Sequence, residues 1–547
     1  MTRFLLFLLL LPPPFVPSHL RADALPSEAP PLGAKEGAID GYLDYAAYVK
    51  QLAEFKSVAS LGKTLGGREV HVITLATGKP EEKPAILIMG AVHAPHLAGA
   101  ELALRMAKLL AKDEKLLDRV TFYVVPRPSP DAGEAFFKKP FAEHPGNDRK
   151  TDDDRDGDPG EDPPDDLNKD GWITMMRVED PTGPMMAHPD DPRVLIAADP
   201  KKNERAAWRV MVEGRDDDGD GQFNEDGGGG VAFNRNFTFN YPVFKVGAGP
   251  NQVSEVETRA IAEFVHDHHN IAAIFSFSPD DNLMNPWKAD PASEGNRIKT
   301  KLLQADAPFT DYLAEQYKKI HGGADCPASA AGEGSFTEWA YFHAGRWSFA
   351  ARGWWIPKVP VEPAPTETRG ADIANALRWF KQETIDGFVD WTPVDHPDFP
   401  GKKVEVGGIK PFFLLNPPAK ELDGLAEKHR DFVVKLAGFL PTLSIGDVKI
   451  EALGEGVFRV TVPVLNTGYL PTMSSMGETN REMYPLQLKI DLPEKASLVN
   501  GVARVKLTRI EGGAKTEHVF LVKGAGDAKL TVWAPAVGSD SKPLVLK

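Results

Sequence analysis

The sequence predicts an α/β domain with a mixed, mostly parallel sheet and helices on both faces, followed by a small all-β sandwich domain. Residues 85–90, 120–126 and 271–278 are short, nearly continuous apolar runs, as expected of strands buried on both faces. Helical patterns lie between these runs, at 97–112 and at 254–269, where Ser254 and Glu257 form a capping-box pattern. Alternating strands and helices indicate a largely parallel sheet.

The pattern of apolar and polar residues changes after Pro441. The segments GVFRVTVPVLNTGYLPT and HVFLVKGAGDAKLTVWAPAVG alternate apolar and polar residues between glycine-bearing turns, and no helical pattern is evident. This pattern is typical of a sandwich of about seven strands. We therefore expect one domain at 25–440, with Asp/Gly-rich insertions at about 150–230, and a second domain at 441–547.

The N-terminus and the composition indicate an exported protein. Arg3, a short apolar core, and the small residues Ala22 and Ala24 have the order of a signal peptide, which we place at 1–24; an uncleaved signal anchor is the alternative. The apolar core is too short to span a bilayer, so we expect a secreted or periplasmic protein with no membrane span after cleavage. The net charge of −15 disfavours nucleic acid as a partner. Cys326 is the only cysteine, so no intrachain disulfide can form.

Two acidic stretches, DDDRDGDPGED at 152–162 and DDDGDGQFNED at 216–226, repeat one spacing. Both place Asp at offsets 0, 2 and 4, Gly at offset 5, Glu at 9 and Asp at 10, and DLNKDGWIT at 166–174 offers a third, similar start. Oxygen ligands on alternate residues before a turning glycine are what calcium needs. The spacing resembles EF-hand-type loops, although the usual glutamate of the twelfth position is missing. We predict calcium binding, with solvated acidic loops as the alternative. The candidate ligands are Asp152, Asp154, Asp156, Glu161, Asp162, Asp166, Asn168, Asp170, Asp216, Asp218, Asp220, Glu225 and Asp226.

Two histidines stand where the first apolar run ends. The stretch GAVHAPHLAGAELALRM at 90–106 places His93 and His96 between the expected strand and the expected helix. Imidazoles at this spacing can share a metal ion. A zinc site, the remains of one, and two loop histidines without a ligand are the three interpretations.

Five motifs in order give the chain, from about residue 40 to 420, a resemblance to the M14 family of zinc carboxypeptidases. The first is the histidine motif after the strand. VPRPSPDAGEAF at 125–136 is similar to the family's Pro-x-x-Asn-Pro-Asp-Gly turn, and AFNRNFTFNYP at 232–242 to its Asn-Arg-Asn-Phe element. The segment at 254–278 resembles the helix and strand before the third metal ligand, and GEGSFTEWAYFHAGRWSFAAR at 332–352 the approach to the catalytic glutamate.

The resemblance implies zinc-dependent removal of C-terminal residues from peptides. In that chemistry a His-x-x-Glu pair and a distant histidine hold zinc and leave a position for water. A glutamate takes the proton of the water, and an arginine stabilises the oxyanion. An Asn-Arg pair binds the free C-terminal carboxylate of the substrate.

The matched positions show that the metal and catalytic residues are degenerate. His93 matches the first ligand, His96 stands where the motif has Glu, and Ser278 stands where the third ligand is His. Arg352 stands where the catalytic glutamate is expected, and Arg177 matches the oxyanion arginine. A neutral hydroxyl is a poor zinc ligand, and a cation beside a dication is unfavourable.

The substrate-binding residues of the family pattern are retained. Asn234 and Arg235 match the Asn-Arg pair that binds the substrate carboxylate. Asp280 or Asp281 could replace the lost ligand, and Glu101 or Glu338 could replace the lost base.

Three functions therefore compete. The first is an exported protein that recognises the C-termini of peptides or proteins but no longer hydrolyses them. The second is an active metallocarboxypeptidase with rearranged zinc ligands. The third is a calcium-dependent structural or adhesion protein. Zinc is the cofactor that the family resemblance implies, and calcium is the cofactor that the acidic loops suggest.

Overall fold

The computed structural model describes residues 39–153, 157–160, 162–219, 221, 223–224, 229–330, 332–362 and 367–547. The expected signal peptide at 1–24 lies outside these residues. Within them, every helix is either too short or too polar to cross a membrane.

The strands are numbered in chain order. Those of the first domain are β1 (Val58–Lys63), β2 (Glu69–Leu75), β3 (Ala85–Met89), β4 (Thr121–Val125), β5 (Met175–Glu179), β6 (Met185–Ala187), β7 (Leu195–Ala197), β8 (Trp208–Val212), β9 (Ile271–Phe277), β10 (Trp347–Ala351), β11 (Phe388–Val394) and β12 (Val404–Ile409). Those that follow are β13 (Leu443–Ile445), β14 (Lys449–Gly454), β15 (Val457–Asn466), β16 (Gln487–Asp491), β17 (Ser497–Leu498), β18 (Arg504–Lys506), β19 (Lys515–Lys523), β20 (Gly526–Ala534) and β21 (Gly538–Leu546).

The helices are numbered in the same way. They are α1 (Tyr45–Leu52), α2 (Ala98–Leu110), α3 (Glu114–Leu117), α4 (Pro130–Gly133), α5 (Val256–Asp267), α6 (Ala307–His321), α7 (Phe336–Phe342), α8 (Ala371–Glu383), α9 (Ala419–Phe439) and α10 (Ser475–Asn480).

A six-stranded mixed sheet forms the centre of the first domain, in the order β1-β2-β4-β3-β9-β10. The β4–β3, β3–β9 and β9–β10 pairs are parallel, and the β1–β2 and β2–β4 pairs are antiparallel. The predicted mixed, mostly parallel sheet is confirmed. The three apolar runs are the strands β3, β4 and β9.

Helices cover both faces of this sheet, as predicted. Side chains of β3 alternate between two apolar cores, because successive residues of a strand point to opposite faces. Ile86 and Ile88 share one core with residues of α2 and α9. Leu87 and Met89 share the other with residues of α5 and α7.

The start of α5 differs from the predicted capping box. The N-cap is Glu255, and no side chain caps the helix there. The Ser254 hydroxyl donates to the Glu255 carboxylate, and the Glu257 carboxylate accepts from Asn147 instead of returning to the cap. Ser254 bonds its neighbour Glu255 and Glu257 bonds the distant Asn147, so neither makes the local cap that the spacing predicted.

A second six-stranded sheet, in the order β11-β12-β5-β8-β6-β7, is antiparallel throughout. Its strands β5 to β8 come from the Asp/Gly-rich insertion, and β11 and β12 come from much later in the chain. Met176, Val178, Val404 and Val406 form its small apolar core. This sheet was not predicted from the sequence.

Two antiparallel sheets follow α9 and share one apolar core, as a sandwich requires. Alternate residues of β15 enter this core, namely Phe458, Val460, Val462 and Val464. The predicted all-β fold of this part of the chain is confirmed. The expectation of no helix is wrong, because the short helix α10 interrupts the strands and packs against α7.

Candidate functional site

The two histidines lie in the turn between β3 and α2, at the carboxyl end of a central strand. Such ends form the binding crevices of open α/β sheets. The backbone N–H of His96 donates to the carbonyl of His93 at 2.9 Å. Asn416 fixes the turn, because its amide donates to the Pro95 carbonyl at 2.9 Å and accepts from the Ala98 N–H at 2.8 Å.

Both imidazoles are neutral at physiological pH. Burial and the nearby Arg352 guanidinium lower the pKa of His93 to about 4. Burial, with His93 and Arg352 as further causes, lowers the pKa of His96 to about 3. His96 is fully buried, and neither of its ring nitrogens has a hydrogen-bond partner among the described residues.

Ser278 follows β9, which pairs with β3, and Arg352 follows β10, which pairs with β9 on its other side. Hydrogen bonds connect the ends of these two strands. The Ser278 N–H donates to the Ala351 carbonyl at 2.9 Å, and the Ser278 hydroxyl accepts from the Asp280 N–H at 3.2 Å. The Arg352 N–H donates to the Asp281 carboxylate at 2.8 Å. The structure therefore brings Ser278 and Arg352 to the same sheet edge as His93 and His96.

Asn234 and Arg235 lie on a short 3-10 turn that the Asp280 carboxylate joins to this edge. The Asn234 amide donates from Nδ2 to Asp280 Oδ2 at 2.7 Å and accepts from the Phe336 N–H at 2.9 Å. An asparagine amide carries two N–H groups, so one donor remains for a ligand.

The Arg235 guanidinium has no carboxylate partner among the described residues, and its buried Nε has no hydrogen-bond partner there. Burial lowers the pKa of Arg235, while Glu333 opposes that shift. Glu333 itself pairs with Lys245, at 2.5 Å from Oε2 to Nζ. This pairing was not predicted from the sequence. It leaves a partly buried cation available to an anionic ligand.

The four candidate replacement carboxylates occupy different environments. Asp281 accepts from three backbone N–H groups, and Glu101 accepts from the Leu43 N–H near two arginines, so both are structural. Burial raises the pKa of Asp280 to about 6. Burial, together with the charge of Asp280, raises the pKa of Glu338 to about 7.

Among the described residues, no hydrogen bond or ion pair joins Arg177 to the residues of this sheet edge. It lies on β5, where its guanidinium pairs with Glu405 at 2.6 Å. It also lies between the rings of Trp208 and Trp391, 4.5 Å from each centroid. The oxyanion role of Arg177 stays a prediction without support from these contacts.

Two of the three acidic stretches, at 166–174 and 216–226, begin with the same closure. Asp166 accepts from the Gly171 N–H at 2.8 Å, and Asp216 accepts from the Gly221 N–H at 3.0 Å, so both loops close at the same offset. Asp162 of the stretch at 152–162 accepts from the N–H groups of Asp217 and Asn224 in the stretch at 216–226. Candidate ligands outside the described residues are Asp154, Asp156, Glu161, Asp220, Glu225 and Asp226.

Comparison with known proteins identifies the class. Residues 43–181 and 197–355 match the family described as zinc carboxypeptidase, Peptidase_M14. This match covers more than half of the chain, and the chain belongs to the M14 zinc carboxypeptidase family. Residues 442–545 match a domain of unknown function, DUF8731. No curated protein matches the sequence.

Several of the solved structures that resemble this chain are carboxypeptidases, at low identity. Carboxypeptidase A from Helicoverpa armigera is 11% identical, with 72% of this chain and 71% of that chain covered and a TM-score of 0.36. Bovine thrombin-activatable fibrinolysis inhibitor, solved in complex with tick carboxypeptidase inhibitor, is 12% identical, with coverages of 72% and 96% and a TM-score of 0.37. A metallo-carboxypeptidase from Burkholderia cenocepacia is 11% identical, with coverages of 71% and 68% and a TM-score of 0.33.

The residues at this edge do not fit the zinc that the family implies. A catalytic zinc takes three protein ligands, drawn from His, Cys, Asp and Glu. In the part of the chain that the structure describes, no three such side chains are grouped to hold a metal ion. His93 and His96 supply two donors, Ser278 supplies a neutral hydroxyl, and the Arg352 cation lowers the pKa of both histidines.

Proposed function

We propose that this protein is an exported member of the M14 family that binds the free C-terminal carboxylate of peptides or proteins without removing the terminal residue. The observation that carries this proposal is the Arg235 guanidinium, which is partly buried and has no carboxylate partner among the described residues. A buried cation without a counter-ion is costly, and an anionic ligand would offset that cost.

The surroundings of Arg235 suit a carboxylate better than another anion. A guanidinium presents two parallel N–H groups that match the two oxygens of a carboxylate. Asn234 precedes Arg235, and its amide is oriented by Asp280 and the Phe336 N–H, with one donor left for the ligand. Arg352 adds a second guanidinium at the same edge, and its Nε is also buried without a partner in the described residues.

Three features support the loss of hydrolysis. The edge offers two neutral imidazoles in place of a three-ligand set. Arg352 is a cation where a proton-accepting carboxylate is required. Asp281 and Glu101 are held by backbone N–H groups and arginines, so neither is free to act as a replacement.

Binding to matched peptides tests the proposal. The probe is a hexapeptide with either a free C-terminal carboxylate or a C-terminal amide, titrated calorimetrically with and without equimolar zinc. The free carboxylate should bind at least about tenfold tighter than the amide, because a charge-assisted pair contributes roughly 1.5–3 kcal/mol. Arg235→Ala should abolish this preference, and the control Arg459→Ala, on the exposed surface of β15, should retain it.

Mass spectrometry of the same mixtures separates the competing function. Intact peptide after prolonged incubation supports the binding protein. Release of the terminal residue that a zinc chelator stops would instead make the protein a carboxypeptidase with rearranged ligands. Equal affinity for acid and amide would refute carboxylate recognition.

We also propose that the acidic loops bind calcium in a structural role. The matching closure of the loops at Asp166 and Asp216 supports this, because it brings alternate oxygens around one turn. Asp152 adds a buried Oδ1 without a hydrogen-bond partner among the described residues. The proposal includes export because residues 1–24 have the pattern of a signal peptide. N-terminal sequencing of the mature protein would test it.

A further inference from the structure

Three large apolar side chains are exposed within four consecutive residues shortly after Arg235. Val243 is 56% exposed, Phe244 is 79% exposed and Val246 is 58% exposed. Single exposed apolar residues are common, but a contiguous group indicates an interaction surface. We call Val243, Phe244 and Val246 the apolar tip; Lys245, which lies between them, pairs with Glu333.

Hydrogen bonds hold the base of this loop in one conformation. The Gly247 carbonyl accepts from the Ala232 N–H at 2.9 Å, and the Ala248 carbonyl accepts from Asn236 Nδ2 at 2.7 Å. The Tyr241 hydroxyl donates to the Gly249 carbonyl at 2.6 Å. The apolar tip is therefore presented by an ordered base rather than by a free chain.

The loop passes close to the aliphatic part of the Arg235 side chain at Gly247, the residue after the apolar tip. A Cβ atom placed on Gly247 would lie 3.7 Å from Arg235 Cδ, which is van der Waals contact. Phe244 has a φ of 62°, a conformation that costs a bulky residue about 1–3 kcal/mol. Side chains held in such conformations cluster at ligand-binding sites.

We propose that the apolar tip is a specificity surface for the same ligand. It contacts an apolar side chain within the last three residues of a peptide whose carboxylate is bound by Arg235. This inference rests on the proposed function, since Arg235 supplies the anchor. The occupant follows from complementarity, because an ordered apolar surface beside an available cation matches a chain end that is apolar and anionic.

Peptide pairs test this inference separately from carboxylate binding. Free-carboxylate hexapeptides carry Leu or Ser at each of the last three positions, and each has an amidated counterpart. At one or more positions Leu should improve the dissociation constant about tenfold, as expected for burial of one apolar side chain. Val246→Ser and Phe244→Asn should reduce that preference to about twofold, since each removes part of the surface.

Val502→Ser is the matched control, because Val502 is 62% exposed on the all-β domain. It should leave the Leu preference unchanged. The thermal midpoints of Val246→Ser and Val502→Ser should match wild type, and that of Phe244→Asn should match or exceed it, because asparagine relieves the positive-φ strain. Asparagine is chosen at 244 because it tolerates a positive φ.

Each other outcome is decisive. If acid is preferred over amide but Leu and Ser bind alike, the specificity surface is refuted and the proposed function stands. If the free-carboxylate and the amidated peptides bind with equal affinity, both the specificity surface and the proposed function are refuted. Sedimentation with phosphatidylcholine vesicles that Phe244→Asn abolishes would make the tip a membrane contact. Self-association that the same variant abolishes would make it a contact between two copies of the chain.

Discussion

Asn234 donates from Nδ2 to Oδ2 of Asp280 at 2.7 Å, and this hydrogen bond joins two distant parts of the sequence. Asn234 belongs to the turn that carries Arg235, and Asp280 follows the central strand β9. The proposed carboxylate-binding pair, Asn234 and Arg235, is thereby joined to the sheet edge that holds His93, His96 and Arg352. The orientation of the Asn234 amide depends on Asp280. From the sequence, Asp280 was considered only as a replacement zinc ligand.

Asp280→Ala should weaken binding of a free-carboxylate peptide about five- to tenfold, because Asn234 loses the acceptor that orients its amide. Asp280→Asn should retain wild-type affinity or exceed it, since the amide oxygen still accepts and a negative charge near the ligand is removed. Calorimetric titration of both variants measures the difference. Equal weakening by both substitutions would contradict the orienting role.

Arg177→Ala should lower the free energy of unfolding by about 1–3 kcal/mol and leave peptide affinity unchanged. The variant loses the Glu405 ion pair and the contacts with Trp208 and Trp391. Lys403 still pairs with Glu405 at 2.7 Å, which limits the loss. Urea denaturation and calorimetry measure the two quantities.

Arg209→Ala, on the neighbouring strand β8, is the control for an exposed ion pair and should change stability little. Loss of affinity at unchanged stability in Arg177→Ala would restore the ligand-binding role that the family resemblance implied.

The sequence predicted the parallel core of the first sheet because each of its central strands is a continuous apolar run. The second sheet escaped prediction because Arg177 on β5 pairs with Glu405 on β12, a partner far along the chain. Its strands β6 and β7 are three residues long, so they have too little periodicity to detect.

The site, like the fold, could be predicted from the sequence only in part. Ser278 and Arg352 could be placed by the order of family motifs, since Ser278 ends an apolar run and Arg352 ends the motif at 332–352. The pairing of Glu333 with Lys245, which leaves Arg235 available, depends on a tertiary contact between two loops. The role of Arg177 was inferred across the acidic insertions, where the order of motifs gives no register.

Stability should fall with decreasing pH through His429, which is fully buried behind the site. Burial, with His321 as a further cause, lowers the pKa of His429 in the folded protein to about 3. The unfolded chain therefore binds a proton below about pH 6.5 that the folded protein does not bind. Between pH 7 and pH 5 this difference costs about 2 kcal/mol of stability.

His429→Gln removes this titration while keeping polar atoms near the Tyr317 hydroxyl and the Leu425 carbonyl. Its stability should drop about 2 kcal/mol less than that of wild type between pH 7 and pH 5. Buried carboxyls with raised pKa values, such as Glu213, increase stability as the pH falls. They are present in wild type and in the variant, so their effect cancels when the two proteins are compared. Parallel losses in urea denaturation at the two pH values would refute the assignment.

Calcium should raise the thermal midpoint by about 2–5 °C relative to chelator, since ligand at 100 times its dissociation constant adds about 2.7 kcal/mol. Asp216→Asn should reduce this shift, because Asp216 lies at the first position of its loop. Asp447→Asn, on an exposed residue of the all-β domain, should leave the shift intact. Identical wild-type midpoints in calcium and chelator would refute calcium binding by the loops.

Restoring the family residues should restore zinc only when three positions change together. His96→Glu returns the second ligand, Ser278→His returns the third, and Arg352→Glu removes the cation that lowers the pKa of both histidines. Each single variant still lacks either a ligand or a tolerable charge, so it should bind no stoichiometric zinc after dialysis. The triple variant should retain about one zinc per chain, since three protein ligands define a catalytic site. Metal analysis by mass spectrometry measures this, and circular dichroism checks the fold of each variant. Stoichiometric zinc in wild type would show that the site still holds the metal through rearranged ligands. No zinc in a folded triple variant would show that His93, His96, Ser278 and Arg352 are not the remains of a zinc site.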